Sequence, residues 1–270
     1  MSVRTEKNGE VTTVINDRIN ARNAVDPETA DALTSAFLAF DSDRTAKVAV
    51  FYGEGGAFCA GWDLKYASAL SERERFRTEI VERLAFPMSE APAPRGPMGP
   101  SRLELSKPVI AAVEGPAVAG GMELAMWCDM RVMAEDAYFG VYCRRWGIPL
   151  LDGGTVRLPR LVGLGRAMDI VLTGRKVEAE EALRIGLCER VVPRGTARAA
   201  AEALAQSIAR FPQAAVLADR RSAYEAHGVS VHEGLKNEWA RGVEAHFAEG
   251  AAGASRFSSG KGRHGDFDRI

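Results

Sequence analysis

Residues 113–130, "VEGPAVAGGMELAMWCDM", set one carboxylate, Glu123, directly after a glycine pair at the head of an otherwise apolar run. An isolated carboxylate is costly to bury and is seldom fully buried unless paired. In the first turn of a helix it also suits the dipole, so a stabilising charge and a proton-transfer group are both open readings. The strand reading "VIAAVEGPAVAGGMEL" ends in a glycine-rich turn and opens a helix, and "VAVFYGEGGAFCAGWDL" has the same form. Glycine lets a ligand come close to the main chain, and the first N–H groups of a helix are unpaired donors. Two such turns facing each other would present two convergent N–H groups, an oxyanion hole suited to a thioester or other carbonyl that becomes an enolate. Two ordinary strand-to-helix turns would read the same way.

Other chemistries find less support. The chain has no G-x-x-x-x-G-K-[ST] loop and no G-x-S-x-G elbow, and "GEGGAF" lacks the last glycine of a dinucleotide fingerprint. The histidines, His227, His232, His246 and His264, fall in the last fifth of the chain without metal-ligand spacing, so no metal site is expected. Cys59, Cys128, Cys143 and Cys188 are dispersed, which suits reduced thiols in the cytoplasm. A net charge of -1 gives no footprint for nucleic acid or an anionic membrane. No run is long and apolar enough to span a bilayer, and "MSVRTEKNGEVTTVIN" lacks the apolar region of an export signal.

The elements that must position Glu123 alternate. Residues 10–16 form a β-branched strand; "DPETADALTSAFLAFDSD" is helical behind an N-cap at Asp26; "KVAVFYG", "KPVIAAVEG" and "MRVMAE" are further strands. This alternation predicts a layered α/β domain with largely parallel pairing. Residues 70–86 form a charged helix. The five prolines and two glycines of residues 86–100, "FPMSEAPAPRGPMGP", predict a mobile loop leading to the second glycine turn. From about residue 196 the chain turns helical, and the tail "SSGKGRHGDFDRI" has no periodicity.

"FCAGWDLK" (58–65) and "GPAVAGGMELAMWCDMRVMAEDAYFG" (115–140) resemble the two signature regions of the crotonase, or enoyl-CoA hydratase/isomerase, superfamily. "RNAVD" (22–26), "LTGRKVEAEEALRIGLCERVVP" (172–193) and "EGAAGASRF" (249–257) extend the likeness over nearly the whole chain. The resemblance implies an α/β fold with a ββα spiral core over residues 1–195. Residues 196–270 would be a helical region that closes the pocket and builds trimers or hexamers. It implies an acyl-CoA thioester substrate and a place in fatty acid metabolism. Coenzyme A would arrive as part of the substrate, with no separate cofactor.

Residue by residue, the resemblance puts the oxyanion-hole N–H groups at Trp62 and Gly120 and the acid/base at Glu123. Arg22, the main chain at Ala24 and Ala60, and the adjoining Trp62, Asp63 and Leu64 match segments that hold coenzyme A. Lys261 could meet a phosphate across a subunit boundary, or stand as a solvated charge. Family hydratases carry a second glutamate in an "FG-x-x-E" region; here that position is Cys143, and a neutral thiol is a poor holder of water. Asp152, in "PLLDGGT", resembles an acidic position that other branches use. It could pair with Glu123, although Asp before Gly-Gly is also good turn chemistry. The expectation is an enoyl-CoA hydratase, with an enoyl-CoA or dienoyl-CoA isomerase as the alternative and a catalytically silent CoA-ester binder as another. Arg144 and Arg145, beside the expected pocket, read as a surface pair.

Overall fold

"VTTVIN", "VAVFYG" and "VIAAV" are nearly unbroken apolar runs because each is a strand covered on both faces. In the computed structural model, which describes residues 2–70, 72–88 and 93–267, the first elements are the strands β1 (Val3–Asn8) and β2 (Val11–Asn16), the helix α1 (Pro27–Ser42) and the strand β3 (Val48–Gly53). The helices α2 (Leu64–Ser68) and α3 (Arg73–Phe76), the latter running on into a π-helical stretch at Arg77–Glu82, come next. Then come β4 (Val109–Val113), β5 (Pro116–Val118), α4 (Gly120–Trp127), β6 (Met130–Ala134) and β7 (Tyr138–Gly140). After these lie α5 (Gly154–Val162), α6 (Leu164–Thr173), β8 (Lys176–Glu178), α7 (Ala179–Ile185) and β9 (Arg190–Val192). The chain continues through α8 (Ala197–Ala209), α9 (Gln213–Glu225), α10 (Val231–Ala245) and α11 (Ala251–Ser258).

The main sheet has the order β1-β2-β3-β4-β6-β9 and is parallel from β2 onward. A smaller sheet, β5-β7-β8, pairs β5 with β7 in parallel and β7 with β8 antiparallel. Alternation along the strands divides the main-sheet core in two. Val14, Phe51, Ala111 and Met133 point towards α1, where Leu33 and Phe37 meet them. Ile15, Val50, Ile110 and Val132 point the other way, onto Ala201, Ala205 and Ala209 of α8. The helical region expected from residue 196 thus contributes its first helix to the core.

The α/β class, the strands and α1 follow the sequence reading, and Asp26 caps α1 by accepting from the Thr29 N–H at 2.9 Å. Two features differ. β1 was not expected; it pairs antiparallel with β2 around Gly9 (φ +60°) and forms an edge rich in charge, with Arg4 bridging Asp17 and Glu54 at 2.7 and 2.6 Å. Charged side chains on an edge discourage pairing with another chain, and they hide the strand from a search for apolar alternation. The loop expected over residues 86–100 is instead packed at its end. Gly96 and Gly99 exchange backbone hydrogen bonds of 2.9 Å around a tight turn, and Met98 and Ser101 are buried. Residues 89–92 of that stretch lie outside the described residues.

Past the core, α9 is tied down by Arg220, which pairs with Asp129 at 2.8 Å and donates to the Leu105 carbonyl at 2.8 Å. α10 packs against α9. No helix among the described residues is long and apolar enough to cross a membrane. Phe37 is wholly buried and meets Phe51 and Trp127 edge-on at centroid distances of 5.3 and 4.9 Å. Phe37→Ala would leave a cavity between α1 and the sheet and should lower unfolding free energy by about 3–5 kcal/mol, read from urea denaturation.

Candidate active site

The two glycine turns lie side by side. Cys59 pairs in parallel fashion with Ala117: its N–H donates to the Pro116 carbonyl at 3.1 Å, and its carbonyl accepts from the Val118 N–H at 3.0 Å. The approach is too close for side chains at the glycines. A Cβ on Gly121 would lie 2.1 Å from the Cys59 carbonyl oxygen, and one on Gly61 would lie 3.2 Å from the Gly120 nitrogen.

The direction of the two N–H groups follows from their peptide planes. The Gly61 carbonyl accepts from the Val25 N–H at 2.9 Å, so the Trp62 N–H of the same trans peptide points away from Val25. The Ala119 carbonyl accepts from Met122 and Glu123 N–H groups at 3.0 and 3.2 Å, inside α4, so the Gly120 N–H points out of the helix end. Ala119, between the turn and the helix, holds φ +54° and ψ -125°, a conformation that costs an alanine on the order of 1–3 kcal/mol. Its N–H donates to the Gly140 carbonyl at 2.8 Å, which helps to hold that geometry.

Glu123, on the first turns of α4, is 2% exposed. Its Oε1 accepts from the Asp152 N–H at 2.9 Å and from the Gly154 N–H, at the start of α5, at 2.8 Å. These donors hold the negative charge, yet burial, followed by the charge of Asp152, pushes the Glu123 carboxyl up to about 7. A buried carboxyl near neutrality can both give and take a proton. Gly154 must be small for this arrangement, since a Cβ there would meet Glu123 Oε1 at 3.0 Å.

Asp152 is also buried, and burial raises its carboxyl. Its side chain serves a different part of the site: Oδ1 accepts from the Met98 N–H at 3.0 Å and from the Ser101 hydroxyl. Arg157 of α5 donates to the Asp152 carbonyl at 2.9 Å and to the Ser101 carbonyl at 2.8 Å. Cys143, in a 3-10 turn at Tyr142–Trp146, is buried, and its thiol is raised first by burial and next by the charge of Glu123. It is a neutral group on the Glu123 side of the site.

Of the remaining expected residues, the segments around Arg22 and Ala24 and around Ala60 to Leu64 lie side by side: the Val25 N–H donates to the Gly61 carbonyl and the Asp63 N–H to the Val25 carbonyl, each at 2.9 Å. The Arg22 side chain is exposed, and its backbone (φ +50°) turns the carbonyl to accept from Ala60 N–H at 3.0 Å. Asp63 caps α2 and pairs with Arg18 at 2.9 Å, while Arg18 also reaches Asp26 at 3.0 Å and the Ala24 carbonyl. Trp62 is half-buried and meets Tyr66 edge-on at 6.2 Å; Leu64 is exposed. Lys261 is exposed on the C-terminal segment. Arg145 stacks on Tyr142 at 4.2 Å and Arg144 is exposed, as a surface pair would be.

Sequence reasoning missed Arg18, Asn23, Met98, Ser101 and Arg157. Asn23, fully buried with φ +58°, donates to the Glu54 and Ala57 carbonyls at 2.8 and 2.7 Å and so ties "RNAVD" to the first glycine turn. The Arg-Asn pair before an apolar residue was visible; its partner segment was not.

A family model described as enoyl-CoA hydratase/isomerase matches residues 6–91 and 101–236. The chain is 34% identical to the enoyl-CoA hydratase EchA19 of Mycobacterium tuberculosis over 253 residues, 91% of this chain and 89% of that one. It is 36% identical to the carnitinyl-CoA dehydratase of Salmonella arizonae over 241 residues, 87% of this chain and 85% of that one. Among solved structures, an enoyl-CoA hydratase from Mycobacterium tuberculosis H37Rv superposes with a TM-score of 0.83 at 33% identity, covering 96% of each chain.

The raised carboxyl of Glu123 has a consequence for stability. Its native value lies above the ordinary one of 4.5, so the protonated group favours the fold below that value, and the benefit is lost as pH climbs through about 7. Glu123→Gln cannot ionise. Between pH 5 and pH 8 the wild-type chain should lose about 2 kcal/mol of unfolding free energy relative to this variant, measured by urea titration at both pH values.

Proposed function

The chain belongs to the enoyl-CoA hydratase/isomerase family, and on that basis we propose that it adds water reversibly across the double bond of a 2-enoyl-CoA thioester. What supports this reading is the close approach of Gly61 to Gly120, each followed or headed by an outward backbone N–H, beside a helix whose first turn carries a buried carboxyl raised to about 7. The Trp62 and Gly120 N–H groups would hold the thioester oxygen as negative charge develops on it. Glu123, with Oε1 fixed by Asp152 and Gly154, keeps its other oxygen for the reacting carbons and water. As water attacks Cβ, Glu123 takes a proton from it and delivers one to Cα, so that the enolate collapses to the saturated thioester. The likeness to both a hydratase and a dehydratase suits a reaction that runs in either direction.

Coenzyme A enters as part of the substrate, and proton transfer between a carboxyl and backbone donors calls for no further cofactor. Arg22 with the main chain at Ala24 and Ala60 would receive the adenine and pantetheine of coenzyme A, next to Asp63, which caps α2, and Leu64, its first residue, and Lys261 would add a cation from a neighbouring subunit. A cytoplasmic setting suits four buried, unpaired thiols.

Cys143 favours double-bond isomerisation as a second reading. A neutral thiol beside Glu123 gives poor hold on a water molecule, whereas shifting a proton between two acyl carbons needs Glu123 alone. Spectrophotometric assays with a 2-enoyl-CoA and a 3-enoyl-CoA separate the two: hydration bleaches the conjugated substrate, and isomerisation creates the conjugated product from the 3-enoyl isomer. Rapid migration with no water added would replace the hydratase reading. Under either, Glu123→Gln should lower kcat by about 10²–10⁴-fold with KM little changed.

The helices from α9 onward are the proposed assembly region. Val231, Leu235, Trp239, Val243 and Phe247 recur every fourth residue as a slanting row of exposed apolar side chains along α10 and the turn after it, with Trp239 75% and Phe247 91% exposed. A homotrimer, or a hexamer made of two, would cover this row. Sedimentation velocity should find the wild-type chain as a trimer or hexamer, and the double variant Trp239→Glu, Phe247→Glu as a monomer; a wild-type monomer would refute the assembly.

A further inference from the structure

Asp152 ties together two parts of the site through different atoms. Its backbone N–H donates to Glu123, while its side chain turns to the 96–101 segment and accepts from Met98 and Ser101. The turn wraps tightly round the carboxylate, since a Cβ on Gly96 would lie 2.5 Å from Asp152 Oδ1. From the other side, Gly99 (φ +91°) seats against α1, where a Cβ would lie 2.7 Å from the Ala30 carbonyl oxygen. The turn therefore has one seat, and Asp152 is its polar anchor. What it delivers is Met98, 1% exposed, whose thioether lies against the oxyanion glycine: a Cβ on Gly120 would be 2.6 Å from the Met98 sulfur.

Resting on the acyl-CoA reading of the site, we propose that Asp152 is a positioning residue rather than a proton carrier, and that the turn it holds makes Met98 the wall that selects the acyl group. The Asp152 Oδ1 hydrogen bonds both go to the turn, and Arg157 braces Asp152 and Ser101 through their carbonyls. Methionine suits a wall that must fit closely against a backbone without branching, because its unbranched thioether fills irregular space. An acyl group whose thioester oxygen is held by the Gly120 N–H would bring its reacting carbons close to this side chain, so the space left by Met98 would decide which bulk and branching fit there.

The test compares four variants in steady-state kinetics and in amide hydrogen exchange across residues 93–102. Asp152→Ala should raise KM for a short 2-enoyl-CoA by about tenfold, with a smaller fall in kcat, and should speed exchange at Met98. Asp152→Asn, which keeps a carbonyl for the Met98 N–H and the Ser101 hydroxyl but cannot shuttle a proton, should restore most of that KM loss and the exchange protection. Ser101→Ala should fall between them. Met98→Ala should shift kcat/KM towards a longer or branched enoyl-CoA by about tenfold relative to the short one.

If Asp152→Asn loses about 10²-fold or more in kcat while Met98 stays protected, Asp152 moves protons and the proposal is overturned. An unchanged acyl preference in Met98→Ala, or unchanged exchange in Asp152→Ala, overturns it equally. Should Asp152→Ala fail to fold, Ser101→Ala and Met98→Ala still decide. A wild-type chain that turns over no enoyl-CoA would sink the functional reading alone, because exchange reports the anchor without catalysis.

Discussion

A carboxylate inside a protein must be compensated, and the two N–H donors that Asp152 and Gly154 aim at Glu123 Oε1 are the compensation on which the site depends. They come from the entry to α5, where unpaired N–H groups and the helix dipole both favour negative charge. Burial overrides them in part, which is why the group stands near neutrality instead of in the usual carboxylate range. A weaker clamp would leave a protonated, inert acid. A stronger one would leave a carboxylate too weakly basic to take a proton. The balance is set by two hydrogen bonds, one buried neighbouring carboxyl and the removal of water.

The second constraint is steric. Two main chains can expose adjacent N–H groups only if nothing separates them, and Gly61, Gly120 and Gly121 remove the side chains that would. The sheet supplies the rigidity. Strands β3 and β4 pair directly, so the turns that follow them leave the same sheet edge together and meet at Cys59 and Ala117. Ala119 absorbs the remaining misfit in its backbone, and the close packing of Met98 beneath Gly120 leaves the turn little room to relax.

Much of this was legible in the residues. A backbone donor leaves glycine as its trace, so both turns could be read from their glycines. Glu123 declared itself as a charge in an apolar helix, and Asp26 with Pro27 marked the start of α1. What stayed hidden is tertiary. "GPMG" carries the marks of any surface loop, and nothing local reveals that Asp152, 54 residues from Met98, anchors it. Asp152 read as turn chemistry or as a catalytic partner because sequence shows the residue type and not the direction of its oxygens. Nothing in the sequence around Arg157 marks it as a donor to the Asp152 and Ser101 carbonyls, because Ser101 lies 56 residues away. β1 escaped because an edge strand is built from charges.

The parallel topology also has a consequence for how the molecule comes to exist. Glu123 is made before its donors: it lies on α4, while Asp152 and Gly154 follow 29 and 31 residues later. The sheet shares this feature, since β6 must wait for β9 across the whole stretch that contains α5 to α7. Contacts this far apart in sequence form late, after long loops have closed. Until α5 docks, the first half of the fold holds an uncompensated acid in its interior, and the least costly state for that acid is protonated. The docking of α5 thus does two things at once: it gives Glu123 its working basicity and, through Asp152, seats the turn beneath Gly120.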